Sequence, residues 1–212
     1  MEQENLHASV ITCSRLRMQT DGQGVTTLVC FHGCPLRCKW CINPFSFASD
    51  TRRTDMTPQM LYDAVKKDAL YFLSTGGGVT FGGGEPLLYP DFLVEFRLLC
   101  GSAWHLCAET SLSVPREAVE KAAECIDTFY IDCKDTDPDI YRKYTGSSNA
   151  LMLANLEWLL KRIGPDRIIV RIPMIPEFNS EADQLRSKAL LTDMGIRNFD
   201  LFSYRIPQNP PK

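Results

Sequence analysis

Six short runs of β-branched and aromatic residues alternate with segments of helical periodicity along this chain of 212 residues. The runs predict β-strands over residues 25–31, 78–82, 104–108, 129–133, 167–175 and 198–204. Between the first two, a helix is predicted to open at Thr57 and Pro58, with Leu61, Val65 and Phe72 on one face. Regular strand–helix alternation favours a parallel sheet, because each helix returns the chain to the edge from which the next strand starts.

Local signals mark the ends of two further helices. Ser113 is expected to cap a helix that carries Pro115 in its first turn. Ser180 and Asp183 have the spacing of a capping box, and that helix is expected to end at Gly195.

Six such units are too few for a closed TIM barrel, which needs eight. Right-handed crossovers would still curl the sheet, so we predict an α/β fold, a partial (β/α)6 TIM-like barrel. One domain is expected over residues 1–212, with a loose Pro-rich tail at about 206–212. The chemistry-bearing segments follow predicted strands, at the sheet edge where such folds place their sites.

Three cysteines spaced C-x3-C-x2-C follow the first predicted strand, in the loop 30–45. Thiolates hold Fe–S clusters, and a closed 4Fe–4S site takes four of them, so Cys34, Cys38 and Cys41 would leave one iron for a ligand from outside the protein. A zinc site is the alternative, but it would need a fourth ligand, and His32 is awkwardly close to Cys34. A thioredoxin-like pair would need only two cysteines.

Composition narrows the class of protein. The formal net charge of −3 gives no basic excess, which argues against a nucleic-acid partner. Neither an apolar run of membrane-spanning length nor a signal peptide is seen, so a cytoplasmic location without membrane partner is expected. Nine cysteines without an export signal argue for metal binding or reduced thiols rather than for a disulfide scaffold.

A glycine-rich segment, GGGVTFGGGEPLLYPDFL, surrounds the second predicted strand. Glycines let a ligand approach the backbone, so the carbonyls of Gly83 and Gly84 could meet an ammonium group whose charge Glu85 complements. The alternative is an ordinary glycine turn beside a surface glutamate.

Four segments together resemble the radical S-adenosylmethionine (SAM) superfamily and, within it, the activating enzymes of glycyl radical enzymes, such as pyruvate formate-lyase activase. They are the glycine-rich segment above, DGQGVTTLVCFHGCPLRCKWCINP, IDCKDTDPDIYRKYTG and VRIPMIPEFN. The resemblance runs from about Asp21 to about Tyr204 and implies the radical SAM core, a partial barrel.

The resemblance implies that Cys34, Cys38 and Cys41 ligate a 4Fe–4S cluster whose remaining iron is chelated by the amino and carboxylate groups of SAM. It implies reductive cleavage of SAM to a 5′-deoxyadenosyl radical, which abstracts hydrogen from a glycine of a partner glycyl radical enzyme. A flavodoxin- or ferredoxin-type protein would donate the electron.

The resemblance also implies which residues contact SAM or an accompanying monovalent cation. They are Trp40, Cys41, Ile42, Gly83, Gly84, Glu85, Glu109, Thr110, Asp132, Cys133, Lys134 and Arg171. Trp40, Cys41 and Ile42 would lie near the adenine, and Gly83, Gly84 and Glu85 would hold the amino group.

The remaining contacts involve charged groups. Lys134 would meet the SAM carboxylate, and Glu109, Thr110 and Asp132 would form a ribose or monovalent-cation site. Arg171 would bind SAM or substrate and, with Lys134 and the three cysteines, completes the expected catalytic set.

Each charged residue also has a structural alternative. Asp132 and Lys134 are two positions apart and could be a solvated pair. Arg171 could form a structural salt bridge, and Glu109 could be a carboxylate at the start of a helix.

The segment after the last predicted strand leaves alternatives for the substrate. It reads FSYRIPQNPPK and lacks the His that family members carry there; Tyr204 or Arg205 stands in its place. A radical SAM enzyme that modifies a peptide or small molecule therefore remains open, as does a cluster carrier that never cleaves SAM.

Overall fold

A single sheet of eight strands organises the computed structural model, which describes residues 6–18 and 20–204. The strands are β1 (Ala8–Met18), β2 (Val25–Phe31), β3 (Thr54–Met56), β4 (Gly78–Gly83), β5 (His105–Thr110), β6 (Thr128–Asp132), β7 (Ile168–Met174) and β8 (Asn198–Ser203). Their order is β3-β1-β2-β4-β5-β6-β7-β8.

The six strands predicted from the sequence form the parallel part of this sheet, β2 and β4 to β8. The sheet order begins at β3 and ends at β8 without closing. The predicted α/β fold, a partial (β/α)6 TIM-like barrel, is therefore confirmed.

Seven α-helices occupy the five crossovers between the parallel strands in the described part of the chain. They are α1 (Pro58–Val65), α2 (Ala69–Thr75), α3 (Pro90–Cys100), α4 (Arg116–Cys125), α5 (Pro138–Thr145), α6 (Ala150–Ile163) and α7 (Glu181–Met194). The helix predicted from Thr57 through Phe72 is divided into α1 and α2 by a short 3-10 turn. In that turn the buried carboxylate of Asp68 accepts two hydrogen bonds from Arg15 of β1, at 2.7 and 2.5 Å.

The antiparallel strands β1 and β3, together with α5, were missing from the sequence prediction. β1 pairs with β2 through a ladder whose register shifts between Val10 and Thr12 and again between Ser14 and Arg17. Leu16, inside the second shift, has a φ of 54°. Such bulges break the alternation of side chains by which a strand is recognised in a sequence.

Strand β6 has one apolar face and one polar face. Phe129 and Ile131 of β6 are fully buried in the core that the helices share. The alternate positions are polar, and the register places Asp132 beside Arg171 of β7, with Glu109 of β5 on the same face. The face opposite the helices is therefore a charged interior, suited to a ligand rather than to a packed core.

The two helix-cap predictions had different outcomes. Ser180 and Asp183 form the capping box, and α7 ends at Gly195 in the left-handed conformation, as predicted. The Ser113 cap is wrong, because α4 begins at Arg116 after Pro115 with no side-chain cap. Ser113 Oγ instead lies 3.1 Å from the hydroxyl of Tyr141, while Ser111 in the same segment donates to the buried carboxylate of Glu85.

Three further expectations concern membrane-spanning helices, the cysteines and the tail. None of the helices in the described ranges is long and apolar enough to cross a membrane. All nine cysteines are free thiols. The tail predicted at about residues 206–212 lies outside the described residues.

Candidate functional site

The loop that carries the three cysteines is fixed between β2 and the end of α5. The backbone N–H groups of Arg37 and Lys39 donate to the carbonyls of Thr145 and Tyr144, at 2.9 and 3.0 Å. The last carbonyls of a helix have no partner within the helix, so the cysteine loop completes the end of α5. The loop is thereby held at the carboxyl edge of the sheet.

The thiols of Cys34, Cys38 and Cys41 are half-buried. Burial raises the pKa of Cys34 to about 12 and that of Cys38 to about 11. Burial also raises the pKa of Cys41, while the Lys134 ammonium opposes the rise at Cys38 and Cys41. Such thiols keep their protons at neutral pH unless a metal displaces them.

The number of thiols in this loop matches the three irons of a 4Fe–4S cluster that would be held by protein. Across residues 6–18 and 20–204, no three His, Cys, Asp or Glu side chains converge on a point where they could hold one ion. Zinc needs four ligands on one ion, whereas a 4Fe–4S cluster takes one thiolate on each of three separate irons. His32 is engaged elsewhere, since its ring Nε2 lies 3.0 Å from the carbonyl of Ala48.

A cavity of about 630 Å³ opens beside Cys38 and Cys41, and residues 44–51 form its other wall. Between these cysteines, Trp40 has a buried indole Nε1 without a hydrogen-bond partner in the described part of the chain. Buried polar groups are nearly always paired, so this donor is suited to an acceptor on a bound molecule. Ile42 is 67% exposed at the same site.

The glycine-rich segment packs against the start of the cysteine loop. A Cβ added to Gly83, whose φ is 84°, would lie 2.6 Å from the Cβ of Cys30. A Cβ on Gly84 would lie 2.1 Å from the carbonyl oxygen of Gly33. Only glycine permits these approaches, so the segment is built to bring β4 against the cysteine loop. The carbonyl of Gly83 accepts a 3.2 Å hydrogen bond from the side chain of Asn43.

Glu85 is directed into the protein. Its Oε1 accepts from Thr110 Oγ1 at 2.6 Å and from Leu87 N at 3.2 Å. Its Oε2 accepts from the backbone N and the Oγ of Ser111, at 2.9 and 2.7 Å. Burial raises its pKa, and these hydrogen bonds oppose the rise. The contact expected between Glu85 and a ligand stays a prediction, since the structure places this carboxylate in a network that joins β4 to β5.

Asp132 and Lys134 form an ion pair at the end of β6, with 2.8 Å between Lys134 Nζ and Asp132 Oδ2. Burial by itself would lower the pKa of Lys134, but the charge of Asp132 and its hydrogen bond reverse the effect and raise it. Burial likewise opposes the charge of Asp132, yet Lys134 and Arg171 lower its pKa. Both groups are therefore ionised, and only 17% of the Lys134 side chain is exposed. Cys133, between them, is fully buried in the apolar core.

Arg171 links the carboxylates of the charged interior. Its Nη1 donates to Glu109 Oε1 at 2.8 Å, and its Nε lies 3.8 Å from Asp200 Oδ2. Its guanidinium lies 4.6 Å from the ring centre of Tyr130. Glu109 thus lies within a strand and not at a helix start, and Arg171 makes the salt bridge that was its structural alternative.

Three residues of this site were not among the predicted site residues. They are Tyr204, Ser111 and Asp200. The hydroxyl of Tyr204 donates to the carbonyl of Trp40, and burial raises the pKa of Tyr204 to about 12. Tyr204 N donates to Met174 O at 2.8 Å and so continues the β7–β8 ladder. Its place at the end of the last predicted strand was the available signal. Ser111 and Asp200 had no signal beyond their position in or after a strand.

Comparison with known proteins finds one family model and several activating enzymes that are similar to this chain. The family model described as the radical SAM superfamily matches residues 28–188. The (2S)-3-sulfopropanediol dehydratase activating enzyme of Klebsiella oxytoca is 30% identical, over 87% of this chain and 78% of the relative. The pyruvate formate-lyase-activating enzyme of Listeria monocytogenes is 31% identical, over 87% of this chain and 77% of the relative.

A solved structure supports the fold. Streptococcus suis SuiB bound to S-adenosylmethionine aligns with a TM-score of 0.64 at 16% identity, over 84% of this chain. The chain spans 40% of the length of SuiB. At this identity the likeness concerns the fold alone.

Proposed function

The chain belongs to the radical SAM superfamily, and on that premise we propose that it activates a glycyl radical enzyme. Enzymes of this superfamily use a 4Fe–4S cluster and SAM. The observation that carries the proposal is the cysteine loop, which holds three thiols and has a buried cation, Lys134, beside two of them. The activating-enzyme relatives, which match most of the chain, support the same choice.

In this proposal Cys34, Cys38 and Cys41 each hold one iron of the cluster. When bound, the cluster supplies the electron that cleaves SAM to a 5′-deoxyadenosyl radical. Lys134 keeps its charge and binds the carboxylate of SAM. Trp40 lends its unpartnered indole N–H to the same molecule. These contacts hold the sulfonium beside the cluster, which is a proximity effect.

The other assigned residues orient these groups. The backbone carbonyls of Gly83 and Gly84 are proposed to meet the SAM amino group, while Glu85 and Thr110 fix the end of β4 through their shared hydrogen bond. Ile42 is proposed to cover the adenine. Asp132 holds Lys134, while Arg171 and Glu109 present charge on the interior face for SAM, a monovalent cation or the substrate.

The proposal also includes the protein substrate and the electron donor. The protein substrate is a glycyl radical enzyme, and the reductant is a flavodoxin- or ferredoxin-type protein. A cytoplasmic location is proposed as well, since nine free thiols need a reducing compartment.

A deuterium-transfer experiment tests this function. The candidate partner enzyme is prepared with α-deuterated glycine and incubated anaerobically with the cluster-loaded protein, SAM and a reductant. We expect a glycyl radical in electron paramagnetic resonance and 5′-deoxyadenosine that carries deuterium. Unlabelled 5′-deoxyadenosine together with a mass change in a peptide or metabolite would point to a different substrate, and no partner radical would form.

Replacement of Tyr204 by phenylalanine is expected to loosen the cysteine loop, because it removes the hydrogen bond to the Trp40 carbonyl. Groups that orient metal ligands typically contribute about 10–100-fold to metal affinity or activity, so we expect about tenfold faster loss of iron to a chelator. Tyr71→Phe is the control, since Tyr71 is 51% exposed on α2. Equal iron retention in both variants would contradict a tethering role for Tyr204.

A further inference from the structure

Asp135, the residue directly after Lys134, is a buried acid of which only 1% is exposed. Its Oδ1 accepts from the backbone N of Asp137 at 2.9 Å and from Ser187 Oγ of α7 at 3.2 Å. Its Oδ2 accepts at 3.0 Å from Asn179 Nδ2, in the segment between β7 and α7. One carboxylate therefore joins the segment after β6 to the segment after β7 and to the helix that follows.

Asn179 also closes the turn from which it reaches Asp135. Its Oδ1 accepts from the backbone N of Ile175, and its Nδ2 donates to the carbonyl of Pro173 at 3.1 Å. Within this turn Glu177 has a φ of 70°, in the left-handed region that a residue with a side chain seldom adopts. Such a conformation persists only where its surroundings impose it, so the hydrogen bonds of Asn179 hold the turn in a form that it would not keep alone.

The backbone that carries Lys134 is consequently attached on both sides to β7 and to its turn. Before Lys134, the backbone N of Cys133 donates to the carbonyl of Arg171 at 3.0 Å. After Lys134, the side chain of Asp135 is bound by Asn179. A lysine ammonium sits on a flexible four-carbon stem, so a fixed backbone limits the region that the ammonium can reach.

The same turn contacts the helix against which the cysteine loop is fixed. Phe178 packs edge to face on Tyr144 of α5, with 5.0 Å between the ring centres. The carbonyl of Tyr144 accepts from the backbone N of Lys39, within the cysteine loop, at 3.0 Å. The turn that binds Asp135 therefore fixes Lys134 and the cysteine loop relative to each other.

We propose that Asp135 is a positioning residue for the recognition of SAM, which acts through Lys134 and does not itself touch SAM. The inference rests on the proposed function, in which Lys134 binds the carboxylate of SAM. The hydrogen bonds of Asp135 hold the Lys134 backbone in place before SAM arrives. A group that is ordered in advance lowers the cost of ordering on binding.

The test compares Asp135→Ala with Asp127→Ala in the cluster-loaded protein. Asp127 lies directly before β6 and accepts hydrogen bonds from Leu106 N and from the Arg97 guanidinium, at the opposite edge of the sheet. Both changes remove an acceptor from donors inside the protein, so both should lower Tm by several degrees. Only Asp135→Ala should affect Lys134.

Two measurements follow Lys134. Equilibrium dialysis with labelled SAM, without air and without reductant, measures binding. Acetylation with detection by mass spectrometry measures access to Lys134, relative to Lys121, whose side chain is 47% exposed. For Asp135→Ala we expect about tenfold weaker SAM binding, as for other groups that orient ligating residues, and severalfold faster acetylation of Lys134. Asp127→Ala should match the parent in both measurements.

The Lys134→Ala background separates positioning from general damage. There, Asp135→Ala should change SAM binding by less than about twofold, because the group through which it acts is gone. Asn179→Ala is the milder variant, since it removes one donor and leaves the carboxylate in place. It should change SAM binding and acetylation in the same direction, and it tests the inference even where Asp135→Ala does not fold.

Four results would overturn the inference. They are unchanged SAM binding in Asp135→Ala and Asn179→Ala, unchanged acetylation of Lys134 in both, equal effects in Asp127→Ala, and an undiminished loss of binding in the Lys134→Ala background. Failure of the proposed function gives a different result. The parent protein would then bind no SAM, or Lys134→Ala would bind it as the parent does, and the inference would fail with it.

Discussion

Replacement of Cys38 by alanine is expected to abolish cleavage of SAM. The change removes one of the three thiols that we propose as cluster ligands, and it would leave one iron without a protein ligand beside Lys134. We expect 5′-deoxyadenosine formation to fall by about 10³-fold or more, equivalent to about 4 kcal/mol in the barrier. Iron content should fall well below four per chain, while far-ultraviolet circular dichroism should stay that of the parent.

Cys100→Ala is the matched control for this prediction. Cys100 is a half-buried free thiol on α3, and its Sγ lies near the carbonyls of Arg97 and Gly101 rather than near the cysteine loop. Iron content and rate should match the parent in this variant. Full activity of Cys38→Ala, or an equal iron loss in Cys100→Ala, would refute the assignment of the ligands.

Glu85→Ala is expected to produce the largest loss of stability. It leaves the hydroxyl of Thr110 and both donors of Ser111 without their acceptor in a fully buried place. A buried donor without a partner costs about 1–3 kcal/mol, so we expect a loss of about 3–5 kcal/mol in the free energy of unfolding. For a chain of this size that lowers Tm by roughly 6–20 °C.

The measurement is thermal and urea unfolding of the protein with and without iron. The loss should appear in both forms, because the network contains only protein groups. Glu120→Ala, at an exposed glutamate of α4, should change stability by less than about 0.5 kcal/mol. A loss below about 1 kcal/mol for Glu85→Ala would mean that the donors find other partners, and the structural role of Glu85 would be wrong.

The sequence predicted the parallel strands because their composition is strong and their helices follow regularly. It also brought the cysteine loop, Lys134 and Arg171 to one edge of the sheet, since the carboxyl ends of parallel strands share that edge. β1 was not predicted because its pairing with β2 is irregular. Local pattern describes a strand only where the alternation of its side chains is intact.

The direction of a side chain was harder to predict than its position. The sequence did not indicate that Glu85 accepts hydrogen bonds from Thr110 and Ser111, and its contact with a ligand stays a prediction. In the sequence, Tyr204 was noted only because it lies near the position of the missing His. In the structure, its hydroxyl donates to the cysteine loop from the end of the last strand. Both contacts join segments far apart in the chain, and such pairings depend on how the sheet curls rather than on any local signal.

The most direct test of the central claim is the fate of SAM on the cluster-loaded protein under anaerobic reduction by dithionite. We expect 5′-deoxyadenosine and methionine in equal amounts, formed only with reductant and absent from the Cys38→Ala protein. Intact SAM beside a fully loaded and reduced cluster, or the same products from Cys38→Ala, would contradict that claim.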